Sequence, residues 1–449
     1  MAHHVCWCAL LTAAVARAAV SSGCGVESTD ILEYVGMESL PLALDGHNHI
    51  LTLPEDYDAS TPVPLVLYMH GWGGDASEGD AFASTARKRG IATAALEGSG
   101  PENWQSWNAG GSSSSPGPRG ATCKPGSTDY CSYYTDTCNC EESDGCWWTT
   151  CEDSTQVLLD ALEAVKKMLC VDLEQVWVAG CSNGAMMVYE ALADPRSAGI
   201  FVGGVSIVGA PHPGFLRMPA SPAHLLGMWG LDDTVIPYAA SEDAPGPGVA
   251  LATVDEADER GWYYTAARNV TRAWSLHHGG PAEPVSTNTY GADDVSCATF
   301  VGASRETVEC TVKAGHVCGR ADEIDTALGF IQGRRGTSSS MSSSKGDAKV
   351  ATAAAVAVVV ACVLLGVFVG SLVYYRRRSR SRGIFELVDV SPVSTLAAPG
   401  IAAPSVVGKR PTPSPLRGSP PPRALRPTGA LLTPPREAPG EFPSNSIVT

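Results

Sequence analysis

The chain has 449 residues and a formal net charge of −16, and its apolar residues are unevenly distributed. This length and unevenness exclude a single ordinary core, so the chain is divided before its chemistry is considered. The segment from Arg376 onward holds eleven Lys or Arg against four acids, a net charge of +7, so the remainder carries −23. An acidic remainder argues against nucleic acid and polyanionic substrates as partners.

The first 22 residues are predicted to be a secretory signal peptide. Val5–Ala16 is almost wholly apolar, and Ala16-Arg17-Ala18 gives the small-x-small pattern of a cleavage site. His3 and His4 stand where Lys or Arg is usual, which leaves a short buried N-terminal helix as the alternative. An apolar run this short is too short to span a bilayer.

Residues 23–335 are predicted to form the folded ectodomain, because they carry nearly all the aromatic and periodic segments. Twelve of the fifteen cysteines fall here, and an even number in a secreted domain indicates disulfides. The dense cluster from Cys123 to Cys151 leaves a zinc site as the alternative, although paired C-x-x-C knuckles are missing. Asn269-Val270-Thr271 is an N-glycosylation sequon, which agrees with a lumenal location.

Strand-like and helix-like segments alternate along the ectodomain. In chain order they are His49–Leu53, Pro64–His70, Glu78–Arg89, Ile91–Leu96, Ser154–Leu169, Gln175–Ala179, Gly184–Ala193, Phe201–Val208, Leu225–Trp229, Trp262–Ser275, Thr307–Val312 and Asp322–Gln332. This alternation predicts a doubly wound, mostly parallel α/β sheet. Two irregular stretches interrupt this alternation, Gly98–Thr150 and Glu242–Asp258. Most of the first stretch belongs to a Cys-rich insertion at residues 111–151.

The C-terminal part is predicted to anchor the chain in a membrane. A Ser-rich stalk at 336–350 precedes an uncharged stretch, 351–374, that is long enough to span a bilayer. Five arginines follow directly, which predicts a type I orientation with the ectodomain extracellular or in the secretory lumen. The Pro-rich tail, 375–449, is predicted to be disordered, and its Pro runs are either ligands of SH3 or WW domains or inert linker.

The segment Gly180-Cys181-Ser182-Asn183-Gly184 matches the G-x-S-x-G motif. An apolar strand-like run leads into it and a helix-like run leads out of it. Such a sharp strand-to-helix turn exposes the serine hydroxyl at a helix N-terminus, where developing negative charge is favoured. Ser182 is therefore the predicted nucleophile, and an ordinary Gly-rich turn is the alternative.

A serine nucleophile needs a base that is oriented by a carboxylate, and in this fold class the order along the chain is Ser, acid, His. Leu225–Asp233 is a strand followed by an acidic turn, which predicts Asp233 as the acid and leaves Asp232 as the alternative. His316 follows a late strand and a glycine, and is the predicted base. The rival histidines, none of which has both features, are His70, His212, His224, His277 and His278.

The oxyanion hole of such a site needs two backbone N–H groups. One belongs to the residue after the nucleophile and the other to the loop after an early strand, which predicts Asn183 and Trp72. Four further tryptophans are assigned either to a substrate pocket or to a disulfide-framed core, and these are Trp104, Trp107, Trp147 and Trp148.

These motifs together resemble the secreted esterases that include polyhydroxybutyrate depolymerase-like proteins and the feruloyl and acetylxylan carbohydrate esterases. The resemblance runs from about His49 to His316 and is carried by Leu67–Gly74, Trp107–Gly110, Ala179–Met187, Gly230–Tyr238 and Gly315-His316. It implies an α/β-hydrolase fold and a Ser-His-Asp site. The family's acid lies three residues past a glycine and shortly before a Val-Pro or Ile-Pro pair, which also selects Asp233.

The chain departs from this family in its long Cys-rich insertion, in Val317-Cys318-Gly319 where a Trp-Pro pair is common, and in its predicted membrane span. Because Cys181 adjoins the nucleophile and Cys318 follows the histidine, we expect a disulfide between them. The expected activity is that of a serine carboxylic-ester hydrolase acting on a polyester, feruloyl or acetyl ester without a metal or organic cofactor. The alternatives are a catalytically silent surface binding protein and a serine peptidase on the same scaffold.

Overall fold

The computed structural model describes residues 19–26, 39–127, 129–252, 261–286, 290–291 and 294–334. Within these residues no helix combines the length and the apolar character that crossing a bilayer demands. Residues 1–18 of the predicted signal peptide, the predicted stalk, the predicted span at 351–374 and the tail lie outside the described part of the chain.

Strands and helices alternate as the sequence predicts. The strands are β1 (Leu40–Leu44), β2 (His47–Thr52), β3 (Val63–Met69), β4 (Ala92–Leu96), β5 (Val171–Cys181), β6 (Gly203–Ile207), β7 (His224–Gly230), β8 (Val249–Leu251), β9 (Tyr263–Thr265), β10 (Val285–Ser286), β11 (Val295–Phe300) and β12 (Thr307–Val312). The α-helices are α1 (Asp80–Lys88), α2 (Ser154–Met168), α3 (Asn183–Ala193), α4 (Ala267–His277) and α5 (Ala321–Gln332).

One ten-stranded sheet, in the order β1-β2-β4-β3-β5-β6-β7-β12-β11-β10, forms the centre of the fold. Six neighbouring strands of the sheet, β4-β3-β5-β6-β7-β12, pair in parallel. At the two margins, β1, β2, β10 and β11 pair antiparallel with their neighbours. A parallel sheet needs crossover connections, which the helices supply. The mixed, mostly parallel sheet has the predicted α/β fold class, with β5 and the turn after it near the middle.

Side-chain alternation on the central strands creates two cores. On β5, Val176 and Val178 belong to one core, whereas Trp177 and Ala179 belong to the other. Residues of α2, α3 and α4 fill the first core, and residues of α1 and α5 fill the second. The near-continuous apolar runs of the central strands therefore reflect burial on both faces.

An N-terminal segment, residues 19–26, packs against the start of β5. Val20 pairs with Asp172, the Ser21 N–H donates to the Val171 carbonyl at 3.0 Å, and Cys24 is bonded to Cys170. Residues 19–22 thus contact the start of β5, and the boundary at residue 23 stays a prediction.

All twelve cysteines of residues 23–335 are paired in six disulfides. Three of these lie in the region of the Cys-rich insertion and join Cys123 to Cys146, Cys131 to Cys140, and Cys138 to Cys151. The cluster considered as a zinc site is therefore a disulfide framework in the structure.

The predicted segment Trp262–Ser275 is two elements. Residues 263–265 form β9, which pairs with β8, and the helix begins only at Ala267. Asn269 of the sequon lies half-buried in the first turn of α4, its amide donates to the Gly248 carbonyl at 3.2 Å, and Thr271 is buried. Whether the sequon is used stays a prediction.

Candidate active site

Ser182 lies between β5 and α3 with φ 53° and ψ −116°. Positive φ is unusual for a residue with a side chain, and such strain clusters at functional sites. The turn needs a small residue at position 184, because a Cβ on Gly184 would lie 2.2 Å from the Met69 carbonyl oxygen. The strand and helix therefore approach closely only where glycine stands, and this packing projects the Ser182 side chain from the turn.

Three predicted residues lie in hydrogen-bond contact. His316 Nε2 is 2.9 Å from Ser182 Oγ, and His316 Nδ1 is 2.8 Å from Asp233 Oδ2. The side chains come from the ends of β5, β7 and β12, which are brought together because the carboxyl ends of parallel strands share one edge of the sheet. The Asp233 side chain is 1% exposed and that of His316 is 18% exposed. A buried carboxylate thus contacts one nitrogen of a partly exposed imidazole, and the other nitrogen contacts the serine hydroxyl.

Asp233 rather than Asp232 has the required position. Its second oxygen, Oδ1, accepts hydrogen bonds from the N–H groups of Val235 and Ile236 at 2.8 and 2.9 Å. Asp232 is exposed, and its backbone N–H donates to the Ala314 carbonyl. The tight turn before Ile236-Pro237 therefore fixes the Asp233 carboxylate.

The rival histidines have structural partners. His70 is fully buried, its Nδ1 donates to the Gly71 carbonyl at 2.6 Å and its Nε2 accepts from the Gly98 N–H at 2.9 Å. Burial lowers the pKa of His70 to about 4, so it remains neutral at physiological pH. His224 similarly accepts from the Glu306 N–H, and His278 stacks on Trp274.

The two predicted oxyanion donors, the backbone N–H groups of Trp72 and Asn183, have no hydrogen-bond acceptor within the described part of the chain. Asn183 is the first residue of α3, so its N–H has no partner inside the helix. Its side chain is buried and pairs with the Trp107 backbone, accepting at 2.7 Å and donating at 3.0 Å. The loop after β3 approaches Ser182, since a Cβ on Gly71 would be 3.5 Å from Ser182 Cβ.

Glu78 is a second carboxylate near the site that the sequence analysis did not identify. Both of its oxygens lie 3.0 Å from the Gly71 N–H, beside the predicted oxyanion residue. Burial raises the pKa of Glu78 to about 6, although the Gly71 hydrogen bond opposes this shift. In the sequence, Glu78 lies four residues after Gly74, and this short distance is the one signal that could have placed its carboxylate near the loop of Gly71 and Trp72.

A cleft of about 230 Å³ opens beside Ser182 and His316. Its walls are mainly aromatic and aliphatic, and the lining residues are Trp72, Tyr130, Trp148, Val235, Ile236, Ala252, Trp262 and Tyr264. Burial by apolar and aromatic walls with few polar groups is typical of small-molecule sites. Among the residues that the structure describes, none of those lining the cleft is Lys, Arg, Asp or Glu.

Of the four tryptophans considered for this pocket, Trp148 lines the cleft and the other three do not. Trp107 is fully buried, and its indole N–H donates to the His70 carbonyl at 3.0 Å. Trp104 stacks on Tyr133, and Trp147 packs within the disulfide cluster of the insertion. Trp104, Trp107 and Trp147 therefore contact the loops around the cleft and are not among its lining residues.

A buried histidine connects two walls of the cleft. His212 Nδ1 donates to the Tyr263 carbonyl at 2.6 Å, which leaves its Nε2 to accept from the Trp148 indole N–H at 2.9 Å. The ring of Tyr264 stacks on His212 at a centroid distance of 4.7 Å. Burial lowers the pKa of His212 to about 4, which keeps this acceptor available.

Cys181 and Cys318 form a disulfide in the structure. It joins the residue before Ser182 to the loop that carries His316, so two strand ends of the candidate site are covalently connected. Among the described residues, one group of three potential metal ligands comes together, Glu78, Cys181 and Cys318, and its two cysteines are bonded to each other.

Neither a family model nor a curated protein matches the chain. Solved structures similar to it include an acetyl xylan esterase from Aspergillus awamori, with 13% identity, a TM-score of 0.39, and coverage of 65% of this chain and 99% of that one. Esterase PE8 has 16% identity, a TM-score of 0.35, and coverage of 63% and 96%. Protein Atu2452 of unknown function from Agrobacterium tumefaciens str. C58 has 16% identity, a TM-score of 0.34, and coverage of 61% and 91%. At these scores the fold assignment depends on the strand order above, and no substrate follows from the likeness.

Proposed function

We propose that the protein is a serine carboxylic-ester hydrolase. The observation that carries this proposal is the continuous contact from Ser182 Oγ to His316 Nε2 and from His316 Nδ1 to Asp233 Oδ2. A hydroxyl, an imidazole and a buried carboxylate in this order form the arrangement that activates serine for acyl transfer.

In the proposed reaction, Ser182 Oγ attacks the ester carbonyl carbon while His316 Nε2 accepts its proton. Asp233 holds Nδ1 protonated and stabilises the imidazolium that forms. The N–H groups of Trp72 and Asn183 bind the oxyanion of the tetrahedral intermediate. His316 then gives its proton to the leaving alcohol, and a water molecule, activated by the same imidazole, hydrolyses the acyl-enzyme to release the acid and regenerate Ser182.

The aromatic and aliphatic side chains that line the described part of the cleft support an ester whose group beside the carbonyl is apolar. Polyester, feruloyl and acetyl esters all remain within the proposal. We further propose that the enzyme is a type I membrane protein with residues 351–374 as its span. The six disulfides support an oxidising compartment for the folded part.

Active-site labelling of the full chain tests the proposal. A fluorophosphonate probe should label the wild-type protein, and Ser182→Ala should abolish both labelling and turnover of p-nitrophenyl acetate. Ser60→Ala, which changes an exposed serine in the loop before β3, should retain both.

Three results separate the proposal from its alternatives. A wild-type protein that is neither labelled nor active on a panel of hydroxybutyrate oligomers, feruloyl sugars and acetylated sugars would be a catalytically silent binding protein. Labelling together with peptide cleavage and little ester turnover would identify a peptidase. Labelling that survives in Ser182→Ala would reject Ser182 as the nucleophile.

A further inference from the structure

The Cys-rich insertion has a direct contact with the predicted oxyanion residue. Tyr134 is 2% exposed, and its hydroxyl accepts a hydrogen bond from the Trp72 indole Nε1 at 2.8 Å. The same hydroxyl donates to the Trp104 carbonyl oxygen at 2.8 Å. With a fixed acceptor for its proton, the hydroxyl presents its lone pairs toward the Trp72 indole.

The indole of Trp72 is confined from several sides. It makes edge contacts with Tyr130 at a centroid distance of 5.0 Å, with Trp104 at 5.1 Å and with Trp148 at 6.3 Å. These contacts restrict rotation of the Trp72 indole, but they do not by themselves fix the direction in which its N–H points. The Tyr134 hydroxyl supplies that direction, because the indole N–H is a donor at one position of the ring.

The backbone on either side of Trp72 is also held. The Gly71 N–H donates to Glu78, and the Gly73 N–H donates to the Gln105 carbonyl at 2.8 Å. The Trp72 N–H between them has no acceptor among the described residues. An unpaired donor inside an otherwise bonded loop is the feature that an oxyanion hole requires.

Tyr134 is itself fixed by covalent bonds. It ends a short 3₁₀ turn, Cys131–Tyr134, whose first residue is bonded to Cys140, and Cys138 beyond it is bonded to Cys151. The Cys138 N–H donates to the Tyr134 carbonyl at 2.7 Å. The ordering of the hydroxyl is therefore achieved during folding and adds no entropic cost at the moment of reaction.

We propose that Tyr134 is a positioning residue that, through the indole of Trp72, sets the direction of the Trp72 backbone N–H toward the oxyanion. This inference rests on the proposed esterase function and assigns the insertion a part in the acyl-transfer step. Removal of a whole oxyanion donor costs about 10²- to 10³-fold in kcat, so misdirection of one donor should cost about 10- to 100-fold. KM should change less than threefold, because the donor acts mainly on the transition state.

The test compares Tyr134→Phe with Tyr133→Phe in the full chain. Tyr133 is the adjacent residue, it is 45% exposed and its ring stacks on Trp104 at 4.1 Å. We expect kcat for p-nitrophenyl acetate to fall about 10- to 100-fold in Tyr134→Phe and less than twofold in Tyr133→Phe. The dissociation constant of phenylboronic acid, which forms a tetrahedral adduct with an active serine, should rise in Tyr134→Phe by a similar factor.

A second variant keeps the test valid if Tyr134→Phe folds poorly. Trp72→Phe removes the indole N–H but keeps the backbone N–H, so it should reproduce the kcat loss of Tyr134→Phe. The double variant should be no slower than the slower single variant, because both changes remove one connection. The inference would be overturned if the kcat losses of the two single variants multiplied in the double variant, or if Tyr134→Phe and Tyr133→Phe had equal kcat values. In either case, turnover by the wild-type protein would still support the esterase function. An inactive and unlabelled wild-type protein would instead remove the esterase function, and this inference with it.

Discussion

The turn that carries Ser182 and the insertion that carries Tyr134 are held in place by different means. In the Ser182 turn, glycines allow two backbones to approach so closely that no side chain fits between them. In the described residues of the insertion, three disulfides stabilise a stretch whose helical structure is two short 3₁₀ turns. Steric exclusion at the first site tolerates almost no change in volume, whereas covalent bridges at the second tolerate changes between the cysteines.

The largest expected effect concerns the carboxylate of the site. Asp233→Asn should lower kcat for p-nitrophenyl acetate by about 10⁴-fold, because an amide stabilises the wrong imidazole tautomer and cannot stabilise the imidazolium. Asp232→Asn, a change of the exposed neighbour, should alter kcat less than threefold. Equal losses in the two variants would show that the turn, rather than the Asp233 carboxylate, is what matters.

The disulfides allow the two regions to be compared directly. Replacing Cys181 and Cys318 together by Ala releases a loop with a sequence separation of 137 residues and should cost about 5 kcal/mol of unfolding free energy. Replacing Cys123 and Cys146 releases a separation of 23 residues and should cost about 3 kcal/mol. Urea denaturation measures both losses. A larger loss for the insertion pair would contradict the role assigned to loop length.

Steric exclusion at the Ser182 turn predicts a smaller loss of unfolding free energy than the loss of the long-range disulfide. Gly184→Ala should lower the unfolding free energy by about 3 kcal/mol, because the added methyl group overlaps the Met69 carbonyl. Gly329→Ala in α5 has open space around its Cβ position and should stabilise by about 0.5 to 1 kcal/mol. Thermal unfolding that shifts in the same direction for both variants would refute this account.

The smallest expected effect is the pH dependence contributed by Glu78. Its folded-state pKa is raised to about 6, above the ordinary value of 4.5, so between these values the folded protein holds a proton that the unfolded chain has lost. Stability from this group is therefore full below pH 4.5 and declines as pH rises through 6. Relative to wild type, Glu78→Gln should gain about 2 kcal/mol of unfolding free energy between pH 4 and pH 7.

A neighbouring acid provides the control of opposite sign. Hydrogen bonds from Ser77 lower the pKa of Asp75, so its ionised form stabilises the fold. Asp75→Asn should therefore lose stability relative to wild type as pH rises through the acidic range. The same pH trend in both variants would show that general charge, rather than the burial of Glu78, causes the effect.

The central sheet could be predicted from the sequence because its strands are buried on both faces. The run from Gln175 to Ala179 and the helix from Gly184 to Ala193 carry strong apolar patterns, and both are present. Strands β1, β10 and β11 at the margins, and β8 and β9 of the separate two-stranded sheet, were not predicted. The β11 sequence, VSCATF, mixes polar and apolar residues and pairs antiparallel with β12 near the edge, where a weak apolar pattern is sufficient.

The candidate site was predictable only where chain order restricts the choice. Ser182, Asp233 and His316 follow strands in a fixed order, so their contact could be anticipated. The walls of the cleft could not, since Tyr130 lies in the disulfide-bonded insertion, Trp262 directly precedes β9 and Tyr264 lies within β9, a strand that was not predicted. Tryptophan identity alone does not distinguish a cleft wall such as Trp148 from a buried support such as Trp107.

The sequence separations of the disulfides also bear on how a growing chain acquires activity. The three bridges of the insertion are complete once residue 151 has been synthesised, whereas Cys181 waits for Cys318, and Ser182 waits for His316. A nascent polypeptide that stalls between residues 182 and 316 would hold Ser182 and the tryptophan-rich loop but lack His316. Premature termination in this range should thus yield protein without the proposed esterase activity.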